Sequence, residues 1–238
     1  MGRVTTIAGN TFIEAVRQKV FNILLVFGLV VIACALFFRQ FDFGEEFKFV
    51  KDFCLGAISI FGTFIAIVGT SMLLPNEVEH RTIYTILSKP VRRFEFLLGK
   101  YLGSVQLLFT STVLMSLMFA AVMYVMMMVS QNRALRDADQ NEGAVPTEVQ
   151  QQIKQIHAAA LDPDIVKGIL LIFIKLCVMA GVTLLVSTFS TSMVFNVVVS
   201  FMVFIAGHLV STATEMWGHH AVAKWLLPPK LEEMAVQA

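Results

Sequence analysis

Few side chains in this chain could do chemistry, and their spacing limits what they could do. Glu79 and His80 are adjacent, but no second histidine stands four residues from His80, so there is no two-histidine helix face to hold a catalytic zinc. His219 and His220 have no cysteine or carboxylate cluster beside them. Ser200 and Ser211 flank His208, yet the elbow sequence that would expose a nucleophilic serine is missing. Gly99-Lys100 is an isolated pair, not part of a GxxxxGK[ST] loop that could cradle phosphates. Met115, Met118, Met123, Met126, Met127 and Met128 offer thioethers of the kind that bind Cu(I). Three consecutive methionines point in three directions around a helix, however, and adaptable apolar packing explains them better. No catalytic residue and no metal ligand is nominated.

The elements that must position any function are apolar. Of 238 residues, 57% are hydrophobic and 15% charged, against about 45–50% and about 25% in soluble globular domains. A core of this size cannot bury that excess, so the chain belongs in a bilayer. A net charge of +1 provides no basic field for phosphates, and nucleic acid is excluded as a partner. Cys34, Cys54 and Cys177 all lie in apolar stretches, and their odd number gives no disulfide framework. Ile32-Ala33-Cys34 resembles a lipoprotein cleavage box, but hydrophobicity continues past Cys34, which favours an uncleaved span.

A membrane helix needs roughly 20 mostly apolar residues. The sequence predicts five, over 20–38, 53–74, 102–130, 165–187 and 193–214, the last two separated by the Ser/Thr-rich patch 187–192. The expected fold is an all-α polytopic membrane helix bundle forming a single transmembrane domain over 1–238. The 75–101 segment carries Arg81, Lys89, Arg92, Arg93 and Lys100, and the N-terminal segment carries Arg3, Arg17 and Lys19 against Glu14. Segments 39–52 and 131–164 are richer in acidic residues. This bias puts the N-terminus and the 75–101 loop in the cytoplasm, with 39–52 and the 131–164 loop outside.

Residues 5–19 read either as an amphipathic helix at the interface, with Ile7, Phe12, Ile13 and Val16 sharing a face, or as an extension of the first span. Within 131–164, Pro146-Thr147-Glu148 looks like the start of a short external helix over 147–160. The loop between the second and third spans is the most informative segment. Asn76 can cap a helix, with Glu77 and Glu79 where its dipole favours negative charge, Lys89 near its end and Pro90 stopping it. Val78, Thr82, Ile83, Ile86 and Leu87 form a narrow apolar stripe. A short helix over 76–90 with such a stripe and charged flanks is suited to docking in a groove.

The stretch from Asn76-Glu77 through Arg81-Thr82 and Leu87-Ser88-Lys89-Pro90 to Leu98-Gly99-Lys100-Tyr101-Leu102-Gly103 resembles the signature of type-two ABC exporter permeases. Thr11-Phe12-Ile13-Glu14-Ala15 and Gly207-His208-Leu209 are similar to a subgroup associated with multicopper-enzyme maturation. The resemblance implies a permease subunit of a bacterial cytoplasmic membrane, working as a homo- or heterodimer with two copies of a separate ABC ATP-binding subunit. ATP and Mg would be bound by that partner, and no cofactor by this chain. It also implies a coupling helix at 76–90, with Asn76, Glu77, Glu79, Arg81, Thr82, Ile83, Ile86, Leu87, Ser88, Lys89 and Pro90 meeting the ATPase, and six spans, the sixth lying beyond the residues given.

Ionisable groups inside spans are functional candidates. Lys175, His208 and Glu215 are the candidates for a translocation path, against a structural reading in which Lys175, near the outer third of its span, snorkels to water. Gly56, Gly62, Gly69 and Gly181 could permit close helix contact, including a dimer seam. The expectation is therefore an exporter permease without enzymatic activity of its own, moving an unidentified substrate by alternating access. Two alternatives remain: a membrane anchor or assembly factor that recruits a partner through the same loop, and an intramembrane enzyme.

Overall fold

The structure is a computed structural model that describes residues 2–40, 46–73, 93–140, 164–190 and 192–217. Among these residues there are six α-helices and no strand: α1 (Gly2–Arg17), α2 (Lys19–Cys34), α3 (Glu46–Ser71), α4 (Arg93–Gln140), α5 (Asp164–Phe189) and α6 (Met193–Trp217), with a 3₁₀ turn over Ala35–Gln40. Five stretches are long and apolar enough to cross a membrane: Lys19–Phe37, Lys48–Ser71, Phe94–Asn132, Ile165–Phe189 and Met193–Val210. The chain is a polytopic helical membrane bundle. A lipid-embedded chain must satisfy its backbone polar groups internally, and helices do so within each segment.

Helix and span are not the same length here. The α3 helix begins at Glu46, taking in Lys48, Lys51 and Asp52, and α4 continues through 131–140. Charged residues stop an apolar run without stopping a helix, because the headgroup layer tolerates them. The first two helices are separate elements. Gln18 is extended (φ −68°, ψ 126°) between α1 and α2, and its N–H donates to the Ala15 carbonyl at 3.1 Å. The break between α5 and α6 falls inside the Ser/Thr patch. There Asn196 Nδ2 donates to the Ser190 carbonyl at 3.1 Å, and Ser192 N–H to Ser190 Oγ at 3.2 Å.

The α3 helix is the hub, packing against α2, α4, α5 and α6. Its inward face holds Val50, Cys54, Ile58, Ile65 and Ala66, all essentially inaccessible. Phe27 meets Phe61 edge-on at 5.4 Å between α2 and α3, and Phe109 meets Phe173 edge-on at 5.8 Å between α4 and α5. Hydroxyls inside the spans donate back to carbonyls three or four residues earlier: Thr63 to Ser59, Ser111 to Leu108, Thr183 to Met179. That disposes of their polarity without a partner helix.

Two further expectations are settled by packing. Met115, Met123 and Met126 are buried in the core while Met128 is 54% exposed, so the methionines of α4 point apart and the buried ones serve as filler. Gly62 and Gly69 are not free for a dimer seam. A Cβ on Gly62 would stand 2.7 Å from Leu176 Cδ1 and one on Gly69 3.2 Å from Leu107 Cδ2, so both face helices of their own chain. Gly56 faces open space.

Candidate functional site

Every residue expected to meet an ATPase, from Asn76 to Pro90, lies outside the described residues, as does the expected external helix over 147–160. What is described is how the two ends of 74–92 are anchored. On one side α3 ends in a turn in which Leu73 N–H donates to the Thr70 carbonyl at 3.2 Å, and the Leu73 side chain is fully buried. On the other side α4 begins at Arg93.

Lys100 joins these ends. Its side chain is 1% exposed, and it is among the largest fully buried side chains in the chain. The ammonium donates to the Leu73 carbonyl at 3.2 Å, lies 3.9 Å from the Glu14 carboxylate of α1, and stands over the Phe96 ring at 5.9 Å from its centroid. Taking an ammonium out of water costs several kcal/mol, and the cost is met only where hydrogen bonds and a counter-charge replace the water. The turn after α3, the first turns of α4 and the last turn of α1 are thus tied through one cation.

The α1 helix docks on α4 by close backbone approach. Ala8, Thr11 and Ala15 are buried, and with Val4 and Ile7 they form the face turned to α4. Opposite them stand Gly99 and Gly103. A Cβ on Gly99 would meet Ile7 Cγ2 at 2.7 Å, and one on Gly103 would meet Thr11 Cβ at 2.6 Å and the Ala8 carbonyl at 2.9 Å. This is the small-xxx-small pattern that lets membrane helices approach closely. Of the apolar face expected for this segment, Ile7 meets Gly99 and Phe12 and Val16 pack partly buried against the core, while Ile13 is 53% exposed. The stripe omits the small residues Ala8, Thr11 and Ala15, which set how closely α1 approaches α4. The signal was present in the four-residue spacing of Gly99 and Gly103.

Lys175 occupies a different place. It is the eleventh residue of the span Ile165–Phe189, about 15 Å from that span's start at 1.5 Å per residue. Its side chain lies on the exposed surface of the bundle rather than in the core. The ammonium donates to Ser59 Oγ at 3.1 Å and lies over the Phe204 ring at 5.2 Å from its centroid. Ser59 and Phe204 are themselves near the middle of α3 and α6. Phe204 stacks on His208 at 6.3 Å, so Lys175 and His208 share one aromatic neighbour. Glu215 is on the last turns of α6, and its side chain lies outside the described residues. A charge at the centre of a span costs about 2.5–3.5 kcal/mol on insertion scales, which is why such residues mark functional positions.

A further tie runs between α4 and α5, where Tyr101 Oη donates to the Cys177 carbonyl at 3.3 Å. Among the described residues no group of three or more His, Cys, Asp or Glu side chains is placed to hold a metal. The geometry is that of a bundle with a rigid anchor at one end and a cation at mid-depth. Such an arrangement can transmit displacement and receive charge, and among the described residues it assembles no nucleophile, base and oxyanion site.

Comparison with known proteins agrees with this arrangement. No curated protein matches the chain. A family model described as "ABC-2 family transporter protein" matches residues 5–221, which takes in most of α1 and all five spans. The chain therefore belongs to the ABC-2 family of transporter proteins, as a multi-pass membrane permease component rather than a catalytic subunit.

Proposed function

We propose that this chain is the permease of an ABC exporter in a bacterial cytoplasmic membrane, with its N-terminus in the cytoplasm. Two copies of a separate ATP-binding subunit, carrying ATP and Mg, drive it through residues 76–90. A second permease copy, identical or homologous, completes the translocation path, and the bundle alternates between inward and outward openings. Lys175, His208 and Glu215 face that path.

The observation that carries the reading is the Lys100 anchor in a chain of this family. Membership of the ABC-2 family implies association with an ABC ATP-binding subunit. A loop that receives force must hand it to the spans, and the segment after α3 is tied at its root to α4 and α1 through the Leu73 carbonyl, Lys100 and Glu14. A displacement of 74–92 is then carried as movement of packed helices, in the manner of shear between rigid elements.

The test is purification of the full chain in mild detergent from its native membrane. A copurifying subunit with nucleotide-dependent ATPase activity is the expected result. A copurifying partner without nucleotide binding would replace the permease reading with that of a membrane anchor.

A further inference from the structure

Many hydroxyls inside the spans are satisfied by their own helix, donating to a carbonyl three or four residues earlier. The junction of α5 and α6 departs from this. Ser187 Oγ, Asn196 Oδ1 and Ser200 Oγ are enclosed by the chain and have no hydrogen-bond partner among the described residues. None of the three residues is more than 5% exposed. A polar atom shut away from water is costly to leave unpaired, so three of them together call for a partner.

The three belong to one place. The α5 helix ends at Phe189, α6 begins at Met193, and the two pack against each other. Ser187 and Asn196 are nearly equidistant from the link, which sets them level. Asn196 Nδ2 donates to the Ser190 carbonyl at 3.1 Å, so this face of α6 is turned to the end of α5. Ser200 is one turn further along the same face of α6, and Thr183 is one turn before Ser187 on α5. Thr183 is fully buried, and its hydroxyl donates to the Met179 carbonyl at 2.9 Å, which leaves its oxygen able to accept. Each helix thus carries two buried polar residues at matching depths.

The enclosure decides what can serve them. A second copy of the chain or a lipid headgroup cannot reach atoms that the chain itself covers. The set holds hydroxyls and one amide but no carboxylate, so it has no charge to offset the desolvation of a cation. Water needs only about one probe sphere of room and makes about two to four bonds to groups of this kind. It can donate to Asn196 Oδ1, which only accepts, and either donate to or accept from the Ser187 and Ser200 hydroxyls.

We infer that the α5–α6 junction binds an ordered internal water, held by Asn196 Oδ1 and the Ser187 and Ser200 hydroxyls. The water links α5 to α6 beyond the direct bond from Asn196 to Ser190.

The full chain, labelled with ¹³C and ¹⁵N, is placed in phosphatidylcholine bilayers, and magnetisation transfer from water is followed by solid-state NMR. The Asn196 side-chain amide, assigned through its own carbons, should receive water magnetisation about threefold faster than the backbone amide of Ile65, which is as deeply buried. Ser187→Ala combined with Ser200→Ala should bring that rate down toward the Ile65 value. The Asn196 signal should hold its position in sodium, potassium and choline chloride. Equal rates for Asn196 and Ile65 in the unsubstituted chain overturn the inference, whether or not the double variant assembles, and mean that the side chains pair with one another. An unchanged rate in an assembled double variant overturns it by placing the water elsewhere. A signal that moves with one cation replaces the water by an ion and overturns it as well. None of these results bears on a copurifying ATPase.

Discussion

The Lys100 ammonium donates a 3.2 Å hydrogen bond to the Leu73 carbonyl, closing a 27-residue separation in the chain. Between the two lies the segment expected to meet an ATPase. The bond therefore holds the two roots of that segment together and, through Glu14, fastens α1 to the same point.

Lys100→Ala should leave the Leu73 carbonyl without this donor and the site without its side-chain volume. The expected loss is about 2 kcal/mol, in the range for leaving a buried acceptor without its donor, Glu14 being 41% exposed, read as a fall in thermal midpoint in detergent. Lys100→Met keeps most of the volume and should lose less. In the complex with the ATPase, both should lower coupling more than nucleotide binding, measured as substrate moved per ATP hydrolysed.

Gly103→Leu should displace α1. The added side chain starts 2.6 Å from Thr11 Cβ, and the Ala8 carbonyl cannot yield. Overpacking of this kind costs about 1–3 kcal/mol. A cysteine placed at Ala8, buried in the unsubstituted chain, should become reactive to a membrane-impermeant maleimide in Gly103→Leu and stay protected in its absence.

The methionines of α4 should divide by burial. Met115 is 0% exposed, and Met115→Ala should cost about 2–5 kcal/mol through lost transfer energy and the cavity left behind. Met128→Ala should be nearly silent. Equal effects that are relieved by Cu(I) would instead mark a thioether site.

Tyr101→Phe should remove only the hydrogen bond to the Cys177 carbonyl between α4 and α5. About 1 kcal/mol is expected, with the ring's packing retained, so the thermal midpoint should fall slightly with no change in the protease-cleavage pattern.

The five spans were legible because a run of apolar residues is a sum over many side chains, and small errors cancel. The 187–192 break was legible for a similar reason, since a polar patch inside 50 apolar residues has one physical use. The docking face of α1 was legible only in part. Ala8, Thr11 and Ala15 are chosen for smallness, and smallness does not register as a stripe. Lys100 reads in sequence as one more charge among Arg92 and Arg93, since only tertiary structure brings Glu14 and the Leu73 carbonyl to it. Lys175 was recognised as a charge inside a span, but its direction depends on Ser59, 116 residues away.

The decisive measurement concerns the apolar stripe of 76–90. Leu87→Asp puts a charge on the stripe expected there. In the purified complex reconstituted in liposomes, coupling through this segment predicts that Leu87→Asp lowers ATP-driven transport about tenfold, equal to the loss of about 1.4 kcal/mol of coupling, while the chain's thermal midpoint is unchanged. ATP-driven transport at the unsubstituted rate would contradict it.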